Sequence, residues 1–175
     1  AAAKRDIIDE NRPTPVPDIT FTDNMTVELG GKMAVLSFVG RNHSDNSTIV
    51  AFPAERVLHV VDFIPVQSIA FRDLPDIYLD DWFTSLKKVE AMDFDILSPG
   101  HGRLGNKEDV RAFRGYLQSL RDQVTRLARA GRSADEVVAA VTMDKYKSWG
   151  GYGRFIKHNV RGMYNLVQLN RRGNR

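Results

Sequence analysis

The spacing of apolar and polar positions divides the chain into a strand-rich first part and a helical second part. AAAKRDIIDEN (residues 1–11) reads as a helical piece, and Pro13, Pro15 and Pro17 then impose extended backbone. TVEL and KMAVLSF are alternating segments joined by Gly30-Gly31, the composition of a two-residue hairpin whose turn needs positive φ. STIVAF and VLHVVDF follow as a second pair around Pro53-Ala54-Glu55-Arg56. Val57, Leu58, Val60 and Val61 are apolar on both faces, which predicts a strand covered from both sides. DWFTSLKKVEAM (81–92) places Trp82, Leu86 and Val89 at helical intervals, and FDILSPG then gives a short strand, together a helix-then-strand crossover. Asn106 caps a long helix, KEDVRAFRGYLQSLRDQVTRLARA, which Gly131 closes. Ser133 and Glu136 form a capping box opening SADEVVAAV, and Phe155, Val160, Met163, Leu166 and Val167 mark a last helix.

Strands first and helices later predict a layered α/β (α+β) domain. The helices suffice for one face of the sheet, and nothing in the pattern supplies a cover for the other.

Composition narrows the chemistry. The 175 residues contain no cysteine, which excludes disulfides, thiol catalysis and thiolate-held metals and leaves His, Asp and Glu as the donors for any ion. No apolar run approaches the roughly 18 to 20 residues of a membrane span. The net charge of +3 is unevenly placed: residues 145–175 hold eight Lys+Arg and no acid, leaving 17 Lys+Arg against 22 Asp+Glu before them. A basic tail of that kind fits a solvated helix face or a contact with phosphate or an acidic partner. The first residue is alanine and the first methionine is Met25, with no charged and apolar leader between them, so position 1 is expected not to be a translation start.

Of the four histidines, His59 falls within a strand and His158 within a helix, where packed or surface histidines are the rule. His43, in Gly-Arg-Asn-His-Ser-Asp-Asn, and His101, in Ser-Pro-Gly-His-Gly, lie in loops that follow apolar strands, and Asp62 ends VLHVVD. Three strand ends on one rim can converge, and two imidazoles with a carboxylate suit zinc, iron(II) or manganese. Separations of 19 and 39 residues define no local motif, however, and on spacing alone a turn histidine with a capping aspartate is the favoured reading.

The succession of Gly-x-x-His-Ser, a strand ending in Asp62 and a strand running into Pro99-Gly100-His101-Gly102 before a long helix resembles the later part of metallo-β-lactamase-fold hydrolases, from about Pro13 onward. The resemblance implies a metallo-β-lactamase-like αββα sandwich in which His43, Asp62 and His101 are metal ligands. It implies zinc as the cofactor, one or two ions in a complete domain, with iron or manganese as other occupants. The attacking group would be a metal-bound water rather than a side chain, and Asp45 would orient a ligand from behind. The substrate would be a small molecule: an ester, thioester, amide or lactam.

Two departures stand out. Val61-Asp62 replaces the family's usual Gly-Asp, and the family's principal signature, His-x-His-x-Asp-His, is absent from the 175 residues. Together with the uncovered sheet, this predicts that residues 1–175 form a single incomplete domain, the C-terminal sheet-plus-helices part of the sandwich. Its parts would be a helix and Pro-rich connector (1–17), a strand-rich part with the ligands (18–102) and a helical part (103–175). Such a chain would be inactive alone and would need the missing N-terminal half, or a second copy, to cover its sheet. Two other functions fit the same residues: a non-catalytic interaction subunit that keeps the fold, or a phosphodiesterase-type member acting on nucleic acid. The acid excess of residues 1–144 argues against the last.

Overall fold

The computed structural model describes residues 17–75 and 77–171, so the helical piece expected over residues 1–11 lies outside the described residues. One five-stranded sheet runs in the order β1-β2-β3-β4-β5: β1 (Asn24–Leu29), β2 (Lys32–Phe38), β3 (Thr48–Phe52), β4 (Val57–His59) and β5 (Ile96–Ser98). The first three pairings are antiparallel. The pairing of β4 with β5 is parallel, and the chain crosses between them through helix α1 (Leu79–Ala91). Helices α2 (Lys107–Arg129), α3 (Ala134–Ala140) and α4 (Tyr152–Arg171) complete the domain, with a 3-10 turn at Asp144–Tyr146. No helix among the described residues is long and apolar enough to cross a membrane.

Local sequence chemistry explains the element boundaries. Gly30 and Gly31 take φ of 58° and 76°, so the β1–β2 turn uses the conformation that only glycine adopts without cost. The Asn106 side chain accepts hydrogen bonds from the Glu108 and Asp109 amides while its own backbone N–H donates to the Asp109 carboxylate, and Ser133 and Glu136 form the corresponding box on α3. Helix α1 begins two residues before the predicted start, at Leu79.

Alternation along the strands separates two faces. Ile49, Leu58 and Leu97 are fully buried and join Leu86, Val89, Phe113 and Leu117 of α1 and α2 in one core. The rows Val50–His59–Ser98 and Phe52–Val57–Ile96 face the opposite way. There Val27, Phe52 and Ile96 remain 45%, 36% and 40% exposed, so the described helices cover one side of the sheet. The seven-residue strand expected at VLHVVDF is a correction: β4 ends at His59. Val60 and Phe63 are fully buried because the chain turns into the core there, not because a second layer covers a strand.

Two of the basic residues after position 144 have acidic partners, one at the 3-10 turn and one between α4 and α3. Lys147 pairs with Asp144 at 3.1 Å, and Arg161 pairs with Asp135.

The connection from Val60 to Tyr78 carries most of the conformational strain. Val61, Gln67, Arg72 and Leu74, none of them glycine, have φ of 52°, 46°, 51° and 56°. Helix α4 holds this segment in place. The fully buried Asn159 donates from Nδ2 to the carbonyls of Ala70 (2.9 Å) and Arg72, and its Oδ1 accepts from the Tyr116 hydroxyl at 2.5 Å. Burial pushes the Tyr116 phenol up, which keeps it a donor. Gly150 adds a second anchor: its amide donates to Gln67 O at 2.9 Å and its carbonyl accepts from Ile69 N at 3.0 Å.

Candidate metal centre

His43 stands in the loop between β2 and β3, which α1 ties down from one side. Ser85 Oγ donates to the carbonyls of Val39 and Arg41, each at 3.1 Å, Lys88 Nζ donates to Val39 O, also at 3.1 Å, and Tyr78 N donates to Asn42 O at 2.8 Å. Asn42 is fully buried and directs the histidine. Its Nδ2 donates to Gly40 O at 3.2 Å, so its Oδ1 is the atom facing His43 Nδ1 at 2.8 Å. An acceptor at that distance places the ring proton on Nδ1 and leaves Nε2 with a free lone pair. Ser47 Oγ donates to the same Oδ1 at 2.7 Å. Burial among Phe63 and Trp82, whose ring centroids lie 6.4 and 6.3 Å away, pulls the His43 pKa down, and the negative charge of Asp62 partly opposes this. His43 is therefore held as a neutral imidazole, the form that binds metal.

Asp62 and His101 meet at the ends of the parallel strands. Val60 N donates to Ser98 O at 2.9 Å and Gly100 N to Val61 O at 2.5 Å, which extends the β4–β5 pairing into the two loops. His101 Nδ1 then lies 2.7 Å from Asp62 Oδ1. Gly100 is required by contact: a Cβ there would sit 2.3 Å from Asp62 Oδ1 and 3.1 Å from Val61 C.

Val61 is a β-branched residue in the left-handed region, where the conformation costs about 1 to 2 kcal/mol. Val61→Gly is expected to raise stability by about 1 kcal/mol, or roughly 2 to 4 °C in Tm. A fall in Tm by calorimetry would show instead that the Val61 side chain contributes more packing than strain.

All three sequence candidates line one cavity of about 590 Å³ at this rim. Asp45 does not join them. It is exposed and borders a separate recess with Arg41, Asp81 and Lys88, and the orienting contact expected from it is made by Asn42. Sequence reasoning missed Asn42, although an Asn immediately before a turn histidine is the residue that folds back on its own backbone. Tyr146 and Trp149 pack on the buried Tyr116, their ring centroids 5.0 and 6.0 Å from its own.

No protein-family model matches the chain. Among curated proteins it is 30% identical over 97 residues to a type 2 metallo-β-lactamase of Bacteroides fragilis, covering 54% of this chain and 39% of that protein. It is 26% identical over 87 residues to the alpha subunit of a 2,4-dinitroanisole O-demethylase of Nocardioides sp. (strain JS1661), covering 49% of this chain and 26% of the other. Among solved structures, a metallo-β-lactamase from Pontibacter korlensis superposes with a TM-score of 0.54 at 22% identity, over 62% of this chain and 52% of that one. The stereoselective inverting sec-alkylsulfatase Pisa1 of Pseudomonas sp. superposes with a TM-score of 0.65 at 15% identity, over 86% and 26%. The chain has a metallo-β-lactamase-like fold over part of its length.

This metallo-β-lactamase-fold chain spans less than half the length of the curated relatives it matches. The relationship is to a family of hydrolases and supports a metal cofactor. The side chains present fit an ion in kind and fall short in number. Two imidazoles and a carboxylate are suitable donors, yet among the described residues no group of three or more His, Asp or Glu stands close enough together to hold a metal ion. His101 and Asp62 are paired with each other, and His43 shares their cavity without completing a triad.

Proposed function

We propose that the chain is the C-terminal portion of a metal-dependent hydrolase acting on an ester, thioester, amide or lactam, with His43, Asp62 and His101 as its contribution to the ligand set. Zinc is the favoured ion, one or two in the complete site, with iron or manganese as other occupants. The observation that carries this reading is the convergence of the three residues on one cavity despite separations of 19 and 39 residues. A divalent ion at this place supplies a Lewis acid and a nucleophile at neutral pH. The chain's own residues prepare for it: Asn42 fixes the His43 tautomer, and Asp62 orients the His101 ring. The remaining ligands would come from an N-terminal half or a second copy, which would also cover the open apolar face of β1 to β5. Without them the chain is inactive.

Zinc titration of the chain against a chromophoric chelator tests this. The expected result is weak, stoichiometric uptake that disappears in His43→Ala and in His101→Ala while circular dichroism is unchanged. Equal uptake by both variants, or a folded chain that takes up none, overturns it. The latter outcome would favour a non-catalytic subunit that binds a partner through its open sheet face, a reading to which the pairwise rather than threefold grouping of ligands lends support.

A further inference from the structure

The cavity beside His43, Asp62 and His101 is a made space rather than a gap. Its volume of about 590 Å³ falls within the ~300 to 1,000 Å³ of small-molecule sites. The connection between β4 and α1 contributes Ile69, Leu74 and Ile77, while Trp82, Phe113 and Phe155 close it from three different helices. That connection cannot sag, because Asn159 ties down its carbonyls and Gly162 lets the backbone at Asp73 lie against α4.

The described lining is predominantly apolar. Among the described residues, the polar side-chain groups on it besides His43, Asp62 and His101 are the Trp82 indole, whose N–H donates to Phe63 O at 2.9 Å, and Ser68, whose hydroxyl donates to Gly150 O at 2.8 Å. Among the described residues no lysine or arginine lines the cavity. The nearby guanidinium groups of Arg72 and Arg154 are exposed, lying over the Phe71 and Phe155 rings at 4.8 and 5.0 Å. Those two rings meet edge to face at 5.1 Å and form an aromatic lip. A carboxylate or phosphate drawn into such a space would lose its water without gaining a counter-charge, and it would face Asp62.

Resting on the hydrolase reading above, we propose that this cavity takes an uncharged aryl or alkyl group of the substrate, with the bond to be cleaved at the His43, Asp62 and His101 end. The substrate class is thus an apolar neutral ester or amide rather than one that carries an anion on the buried side.

The test is a binding measurement that requires neither metal nor turnover. The uncharged dye N-phenylnaphthylamine is titrated into the zinc-free chain and followed by its fluorescence, then competed with acetonaphthone, a neutral ketone, and with naphthoate, its anionic analogue. The dye should bind saturably, and acetonaphthone should displace it about tenfold or more better than naphthoate does. Phe71→Glu, at the exposed lip, should weaken dye binding by about tenfold. Phe52→Lys, on the open sheet face, should leave it unchanged, with both variants unfolding at the wild-type temperature. Equal competition by naphthoate overturns the preference for a neutral group. Loss of dye binding in Phe52→Lys but not in Phe71→Glu overturns the assignment to the cavity. Because no metal is present, a failure of zinc uptake would count against the hydrolase reading alone, and a failure of dye binding in a zinc-binding chain against the substrate class alone.

Discussion

Replacing Gly162 with alanine is expected to destabilise the chain more than any other single-methyl addition. The new Cβ would lie 1.8 Å from Asp73 O and 2.5 Å from Asp73 C, both backbone atoms that cannot rotate away. Helix α4 and the β4–α1 connection would have to separate, and the Asn159 hydrogen bonds to Ala70 and Arg72 would lengthen together. Overpacking of this kind costs about 3 kcal/mol, or a fall of roughly 6 to 12 °C in Tm for a chain of this length. Gly115→Ala is the matched control. Gly115 lies within α2, where the nearest heavy atom to a new Cβ is the Tyr146 hydroxyl at 4.0 Å. There the same substitution should raise stability by about 0.5 to 1 kcal/mol through helix propensity. Thermal unfolding of both variants decides the matter: similar small shifts would mean that the close approach at Gly162 is not a constraint.

The second large effect is expected at Gly100, on metal affinity rather than stability. A Cβ at that position would occupy the space of Asp62 Oδ1, at 2.3 Å, and press on Val61. The carboxylate can swing aside, so the fold survives, but the 2.7 Å contact with His101 Nδ1 is lost and both side chains lose their fixed orientation. Loss of such an orienting contact costs about 10- to 100-fold in metal affinity. Gly100→Ala should therefore weaken zinc uptake by that factor in the chelator titration while lowering Tm less than Gly162→Ala does. Unchanged zinc affinity would remove Asp62 and His101 from the proposed ligand set.

What could be read in the sequence was what local chemistry decides. The Gly30-Gly31 turn, the caps at Asn106 and Ser133 and the crossover into Pro99-Gly100-His101 depend on a few adjacent residues, and each appears where the pattern placed it. The rim positions of His43, Asp62 and His101 follow from the same elements. The run VLHVVDF misled because continuous burial looks alike in a strand and in a loop that dives into the core, and Val60 and Phe63 belong to the loop. The β4–α1 connection was opaque for a related reason. Its left-handed residues are Val61, Gln67, Arg72 and Leu74, types that do not advertise positive φ, and what holds them is Asn159, nearly ninety positions away. The choice of Asn42 over Asp45 was likewise settled by how the loop closes, since either side chain could have reached the histidine in a different turn.

The parallel pairing of β4 with β5 also bears on when the rim comes into being as the chain folds. Strands β1, β2 and β3 are linked by short connections and can associate while the rest of the chain is still unstructured. Asp62 and His101, 39 positions apart, can meet only after α1 has docked and the crossover has closed, a step that carries the larger loop entropy. In pulse-labelled hydrogen exchange during refolding, the amides of β2 and β3 should gain protection before those of Val60 and Gly100, and simultaneous protection would contradict that order. The rim is then the last-formed region of the sheet, so an ion or partner that arrives during folding would meet a framework already built and complete it.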